Sequence, residues 1–342
     1  MGKPKKHHFL PRFLLRGFAS RTSGDEAWVW EFRRGRAPVE RNTREVGGAR
    51  YFHGDPDVSD LEYKMGDVET EYAPVIVRFR ANEATNEDLA IAPAIANHLL
   101  VRTKNIRDGF REAGEAAIAI IGQRTREGKN AKLVRNRTMK ELRKRLQTQY
   151  SEKFSALPKF KRKLLLSIAE KKLEEYLRTE EFRRDASAMI DLFNENVSLK
   201  ELVADAHRKA LRKSAESVPQ LKRFNDLRWE VRQFPDSNII LGDVVGIAQS
   251  GSDEGFRNAL LIDNPRIVCI PIGNSTILVG HRGADSPAID VQALNRGSVT
   301  ASRDFFVASR CTDGEKQYAD LIGTDSALLS EKDKIRFSTK MR

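Results

Sequence analysis

The sequence predicts an α+β fold: a mixed sheet formed by N- and C-terminal strands, with a large central, mostly helical region. Three observations predict it. Ala27 to Phe32 (AWVWEF) alternates and is rich in aromatic residues, the pattern of a half-buried strand. From Ser59 to about residue 216 the apolar residues recur at helical spacing. From Trp229 onward the period returns to that of strands. The expected division is 1–123 for N-terminal strands and two kinked helices, 124–217 for a basic helical insertion, and 218–342 for strands completing the first domain.

In chain order, Phe9, Leu10, Phe13, Leu14, Leu15 and Phe18 are too dense for a solvated tail. The terminus is therefore expected to pack into the body and to carry His7 and His8 with it. Near pH 7 an imidazole accepts a proton, donates one or binds a metal, and the neighbouring lysines favour its neutral, ligating form. Arg33-Arg34-Gly35-Arg36 reads as a turn, with Pro38 to Arg41 as a return strand. Ser59-Asp60-Leu61-Glu62 opens a helix as a capping box. Its apolar stripe is Leu61, Met65, Val68, Tyr72, Val75 and Ile76, and Pro74 predicts a kink or a split. Glu62 and Glu69, seven residues apart, project from one face.

Thr85 or Asn86 caps the next helix, which buries Leu89, Ala92, Ala96, Leu99 and Leu100 and runs on toward Ile121. Pro93 is a second expected kink, Gly109 and Gly114 are weak points, and His98 and Arg102 share a face one turn apart. After a break at Gly128 to Asn130, helices are expected at about 138–155, 158–178, 180–196 and 199–216. Leu164, Ile168, Tyr176, Met189, Ile190 and Phe193 supply their apolar faces. Strands are expected at Arg228–Phe234, Asn238–Leu241, Ala259–Ile262, Ile267–Ile272, Thr276–Gly280 and Phe305–Ser309, with a short helix near Val291–Leu294. The last dozen residues read as frayed.

Composition narrows the class. The 342 residues carry a net charge of +12. Between Arg124 and Lys163, fifteen Lys or Arg face three acids, so that window alone equals the whole chain's net charge. A concentrated cationic face attracts polyanions: RNA, DNA or anionic lipid headgroups. The same density also suits a solvated helical arm. Arg135, Lys140, Arg143, Lys144 and Lys161 are the candidate nucleic-acid contacts. No apolar run reaches the roughly 18 residues that span a bilayer. Lys3 to Lys6 lead into histidines, a proline and arginines where a signal peptide needs an apolar core. Cys269 and Cys311 form no metal-type or disulfide pattern, so the cytoplasm is the expected compartment. No nucleophile elbow, P-loop, dinucleotide fingerprint, zinc finger or RNA-binding signature is present.

His7-His8-x-x-Pro11-x-x-x-Leu15-Arg16-x-Phe18 resembles the opening signature of a large bacterial family catalogued as domain of unknown function 4238. Leu61-Glu62 with Glu69, Ala73 and Pro74 resembles its second block. Asn97-His98-Leu99-Leu100-Val101-Arg102-Thr103 resembles its third, a helix ending in an Arg-Thr pair. Ile239 to Asp243 resembles the strand leading to the family's acid, where members read Ser-Asp-Asn-Pro. This chain reads Gly242-Asp243-Val244-Val245 there and has an Asp-Asn-Pro at Asp263, so the acid is either Asp243 or Asp263.

His7, His8, Glu62, Glu69, Arg102 and Asp243 thus form a candidate catalytic set drawn from distant parts of the chain, as active sites usually are. Histidines with carboxylates suit Mn²⁺, Zn²⁺ or Fe²⁺, and carboxylates alone suit Mg²⁺; His8, Glu62 and Glu69 are the candidate ligands. Such an ion generates hydroxide, and Arg102 would hold phosphate oxygens. The reading that follows is a metal-dependent nuclease or other phosphoester hydrolase, with a role in phage defence or as a toxin suiting that profile. The alternative is a non-catalytic nucleic-acid-binding or regulatory protein. In it Glu62 closes the capping box, Glu69 pairs with Arg102 or a lysine, and Asp243 caps a turn.

Overall fold

A computed structural model describes residues 6–52, 61–127, 131–196, 198–215, 224–251 and 255–328. The chain forms two compact units, one from Met1–Phe110 with Val203–Ser330 and the other built on Arg111–Leu202.

In the first unit the N-terminal elements are β1 (Lys6–His8), α1 (Arg12–Leu15), β2 (Arg21–Ser23), β3 (Glu26–Phe32), β4 (Val39–Asn42) and β5 (Gly48–Arg50). Helices α2 (Leu61–Arg80), α3 (Asn86–Ala90), α4 (Ala92–Val101) and α5 (Lys104–Arg126) follow. The second unit adds α6 (Ala131–Thr148), α7 (Ser151–Ser155), α8 (Lys159–Leu177) and α9 (Glu180–Asn196), and α10 (Leu199–Ala215) leads back. The chain then makes β6 (Arg228–Gln233), β7 (Leu241–Gly242), β8 (Ile247–Gln249), β9 (Arg257–Asn258), β10 (Ile267–Gly273) and β11 (Thr276–His281). It closes with α11 (Val291–Ala301), β12 (Phe306–Ala308) and α12 (Asp313–Ala319).

The fold is α+β with a large helical centre, as expected. The strands form three sheets, and every described pairing is antiparallel rather than mixed. β1 pairs with β5, and β6-β11-β10-β8-β9 form a five-stranded sheet. The third sheet runs β2-β3-β12-β7, with β4 on β3. The two ends of the chain meet in this sheet, where Phe32 of β3 lies opposite Phe306 of β12 and their rings stack at 4.6 Å.

The N-terminal segment is core, not tail: Leu10, Leu14, Leu15 and Phe18 are fully buried. They pack in one cluster with Val75, Ile76 and Phe79 of α2, Ile95 and Leu99 of α4, and the fully buried strands β10 and β11. Arg80, at the end of α2, ties these layers together by donating to the carbonyls of Phe13, Leu14 and Ile272. Gly17 lies flat on this crossing. A Cβ there would stand within 3.0 Å of both the Arg80 Nη2 and the Ile272 oxygen.

Local signals fixed several boundaries. Thr85 caps α3 in a capping box with Asp88, and Pro158 precedes α8. Ser198 accepts from the Glu201 amide at the start of α10. The Ser59 cap of α2, the break at Gly128 to Asn130 and the last dozen residues lie outside the described residues. Other expectations are corrected. α2 is not split at Pro74, which sits on its exposed side, where the carbonyl the proline leaves unpaired can take water. The expected long helix to Ile121 stops at Arg102 and Thr103, and the Thr103 hydroxyl donates back to the Leu100 carbonyl. Gly109 and Gly114 lie inside continuous α5. Residues 259–261 form a 3-10 turn instead of a strand, and β1, β5, β8 and α12 carry no strong sequence signal. By packing, the second unit spans Arg111–Leu202, its ends inside α5 and α10, while the basic insertion expected from charge spans 124–217. Charge marked the expected borders, whereas packing sets the observed ones.

Within the second unit α6 packs on α7 and α8, and α8 on α9. Among the described residues its buried apolar side chains are Met139, Leu177 and Phe182. Leu164, Ile168, Tyr176 and Met189, expected to face a core, are exposed instead. The burial of Ile190 and Phe193 lies outside what is described. A thin helical layer buries one stripe per helix, and a helix with apolar residues on several sides leaves the others in water.

Candidate functional site

Helix α4 is apolar on nearly every side, yet it buries Asn97 and His98 and ends on Arg102. Buried polar groups need partners, so these three residues mark where the helix meets something polar. Arg102 is 1% exposed and is the largest fully buried side chain among those described. Its Nη1 donates to the Glu69 carboxylate on α2 and lies 3.3 Å from Nε2 of His98. Its Nη2 donates to the backbone carbonyl of His8 on β1. A guanidinium only donates, so the His98 Nε2 accepts and its other ring nitrogen carries the proton. The His98 ring stands edge-on to Tyr72 at 5.5 Å. One arginine therefore joins β1, α2 and α4.

His8 takes part through its main chain, and its ring does something else. Successive strand residues point to opposite faces, so His7 and His8 diverge: His7 is buried, while His8 is part-exposed. The His8 Nδ1 lies 3.2 Å from the Val46 carbonyl, which can only accept, so Nδ1 carries the proton and Nε2 bears the lone pair. Burial, followed by Lys6, pushes the His8 pKa down to about 4, with Arg102 and Arg12 adding to the shift and the Val46 bond opposing it. The imidazole is neutral at pH 7. Glu62 lies in the first turn of α2, two turns before Glu69, and is partly exposed.

Asp243 is anchored on the same corner from the other side. Its carboxylate accepts from the amides of Arg303 (3.0 Å) and Asp304 (2.7 Å), and from the Asn105 side chain at 3.3 Å. Asn105 also donates to the Asp243 carbonyl. Asp243 is fully buried, and burial raises its pKa while the amide bonds oppose the rise. It caps the 303–305 turn. Lys104 with Asp304 (2.5 Å) and Arg303 with Asp108 (3.5 Å) lace the start of α5 to that turn. Just beyond, Val245 has φ +64° and the Gly246 amide donates to the Val244 carbonyl at 2.7 Å, a γ-turn that strains a β-branched residue. Gly242 is required here because helix α11 crosses closely: a Cβ would come within 3.0 Å of the Ser302 and Ser298 hydroxyl oxygens.

The structure thus brings Glu69, Arg102 and the main chain of His8 together, and Asn105 links Asp243 to the same α4–α5 corner. His98 and Asn105 were not in the candidate set. The signal that marks them is polar residues embedded in an apolar helix and its exit. Asp263, the other candidate acid, lies in the loop between the 259–261 turn and β10. Glu69 is paired with Arg102, and among the described residues no group of three or more His, Cys, Asp or Glu side chains is placed to hold a metal ion.

On the basic unit, Lys140, Arg143 and Lys144 are exposed on α6, beside Arg137, and Lys161 is exposed on α8. Arg135 differs. It is paired with Glu174 of α8 and partly buried, so it braces two helices. No described helix is long and apolar enough to cross a membrane.

No curated protein and no solved structure matches this chain. A family model described as "Protein of unknown function (DUF4238)" matches residues 6–301, nearly the whole of the architecture above. On that match, the chain belongs to this family.

Proposed function

We propose that the protein is a non-catalytic nucleic-acid-binding protein whose His/Glu/Arg set is a structural network and whose α6 face holds a phosphate backbone. The observation that carries this reading is the state of Arg102. A phosphate clamp needs a guanidinium that a ligand can reach, whereas this one is 1% exposed and committed to Glu69, the His8 carbonyl and His98. On α6 the exposed cations include Arg137, Lys140, Arg143 and Lys144, with Glu141 drawn toward Arg145 at 3.5 Å. Such a row contacts backbone phosphates and carries no base information. The test is fluorescence anisotropy with RNA, duplex DNA and single-stranded DNA at several salt concentrations. Affinity should fall with a log–log slope of about −0.9 per phosphate neutralised on duplex DNA. Replacing Lys140, Arg143 and Lys144 by Ser should weaken binding to all sequences alike, and binding unchanged at low salt would refute the reading.

A second reading, phosphoester hydrolysis, is favoured by one observation. His8 is a part-exposed, neutral imidazole with one nitrogen pinned to a carbonyl and the other bearing a lone pair, the form a general base needs. Incubation with RNA and DNA, with and without Mn²⁺ or Mg²⁺, tests it. Cleavage that His8→Asn abolishes would replace the first reading.

A further inference from the structure

The first half of α8 has a composition that phosphate binding does not explain. Residues 159–169 carry four cations and no acid, interleaved with large apolar side chains. Phe160, Leu164, Leu165 and Ile168 are between 48% and 66% exposed. At 100° per residue they occupy one side of the helix, along about 12 Å of its axis. Lys161, Lys171 and Lys172 lie on that same side, and Lys163 borders it; all four are exposed. The opposite side, through Leu166, Leu173 and Leu177, is the one that packs inward.

We infer that this face of α8 docks on an anionic lipid surface, lying in the plane of the headgroups. Charge complementarity selects the occupant. A second copy of the chain would bring four more lysines against these four, and like charges brought together oppose association. A nucleic-acid backbone would satisfy the lysines but leave three branched aliphatic side chains without a partner, because only Phe160 can stack on a base. An amphipathic acidic helix from another protein binds in an apolar groove, whereas Phe160, Leu164, Leu165 and Ile168 project from a single helix at 48% to 66% exposure. A bilayer interface meets both demands: the apolar face enters the acyl boundary while the lysine stems reach up to anionic headgroups.

Lipid docking by α8 is independent of nucleic-acid binding by α6, and one experiment separates them. The full chain is sedimented with vesicles of phosphatidylglycerol and phosphatidylcholine, and with phosphatidylcholine alone. The protein should pellet with the anionic vesicles and stay in solution with the neutral ones. The triple variant Phe160→Gln, Leu164→Gln, Ile168→Gln keeps every cation; it should lose vesicle binding by about tenfold or more while its anisotropy titration with nucleic acid is unchanged. Its circular dichroism and melting temperature, compared with wild type, confirm folding. The Phe160→Trp variant, which preserves the face, should shift its emission to the blue on adding anionic vesicles. Wild type that fails to pellet, a triple variant that pellets equally, or a Phe160→Trp variant whose emission does not move would each overturn the inference. A concentration-dependent dimer that the triple variant abolishes would also overturn it, in favour of a second copy.

Discussion

Arg102 and Glu69 form an ion pair in which the arginine is 1% exposed and the carboxylate 26% exposed. The pair closes β1 onto α2 and α4, because the same guanidinium also holds the His8 carbonyl. Lysine offers a point charge without the fork, so Arg102→Lys cannot serve both partners at once. It should destabilise the protein by about 3 kcal/mol in urea unfolding, the scale of breaking a buried pair. Glu69→Gln keeps an acceptor and removes only charge, and should cost roughly half as much. Equal stability in wild type and Arg102→Lys would show that the network is not what holds this corner.

Asp243 tests the turn it caps. Asp243→Ala leaves the buried amides of Arg303 and Asp304 without acceptors and should cost about 3 kcal/mol. Asp243→Asn retains one acceptor oxygen and has no charge to desolvate, so it should cost less. Because burial raises the folded-state pKa, the charged carboxylate weakens the fold at neutral pH, and that penalty fades as pH falls through the raised value. Thermal melts of wild type and both variants at pH 5 and 7 check the order, and the wild-type-minus-variant difference checks the sign.

His8 predicts a pH dependence of the opposite sign. Its folded-state pKa of about 4 lies below the ordinary value of 6.5, so between those two values the unfolded chain binds more protons. The stabilisation is fully present above about pH 6.5 and is lost progressively as pH falls toward 4. His8→Asn keeps a donor for the Val46 carbonyl and does not titrate, so its stability should fall less over this window. Parallel slopes for the two proteins would refute the assignment.

Gly17→Ala places a methyl within 3.0 Å of Arg80 and of the Ile272 carbonyl. One partner is backbone and the other is fixed by three carbonyls, so neither yields cheaply. A loss of about 2 kcal/mol is expected, as for other overpacked positions. A melting temperature equal to wild type would mean the crossing is looser than its geometry implies.

Arg135 and Arg143 separate bracing from binding on one helix. Arg135→Ser breaks the part-exposed pair with Glu174 and should lower stability by about 0.5–1 kcal/mol with little effect on nucleic-acid affinity. Arg143→Ser should do the reverse, lowering affinity and the salt slope while the melting curve stays put. Paired titrations and melts decide between them.

The sequence by itself determined the fold class, because the change of period near Ser59 and again near Trp229 reports which face of each segment must be hidden. It also determined that the N-terminal apolar run is core and that a helix is capped at Thr85 or Asn86, and it offered Glu69, Arg102 and Asp243 as candidates without their arrangement. Tertiary structure alone decided how those residues are used. Nothing local to Arg102 says that it is buried; that follows from β1 and α2 closing over it, which turns a phosphate-seeking side chain into a clamp on a carbonyl and a carboxylate. The adjacent letters His7 and His8 suggest a pair, yet strand geometry points them apart. Charge density grouped Arg135 with Lys140, Arg143 and Lys144, but only packing against α8 shows that Arg135 is held by Glu174. On α8 itself, apolar residues ring the first turns, and a repeating pattern cannot choose which stripe is covered. The neighbouring helices choose, and they leave Phe160, Leu164 and Ile168 in water.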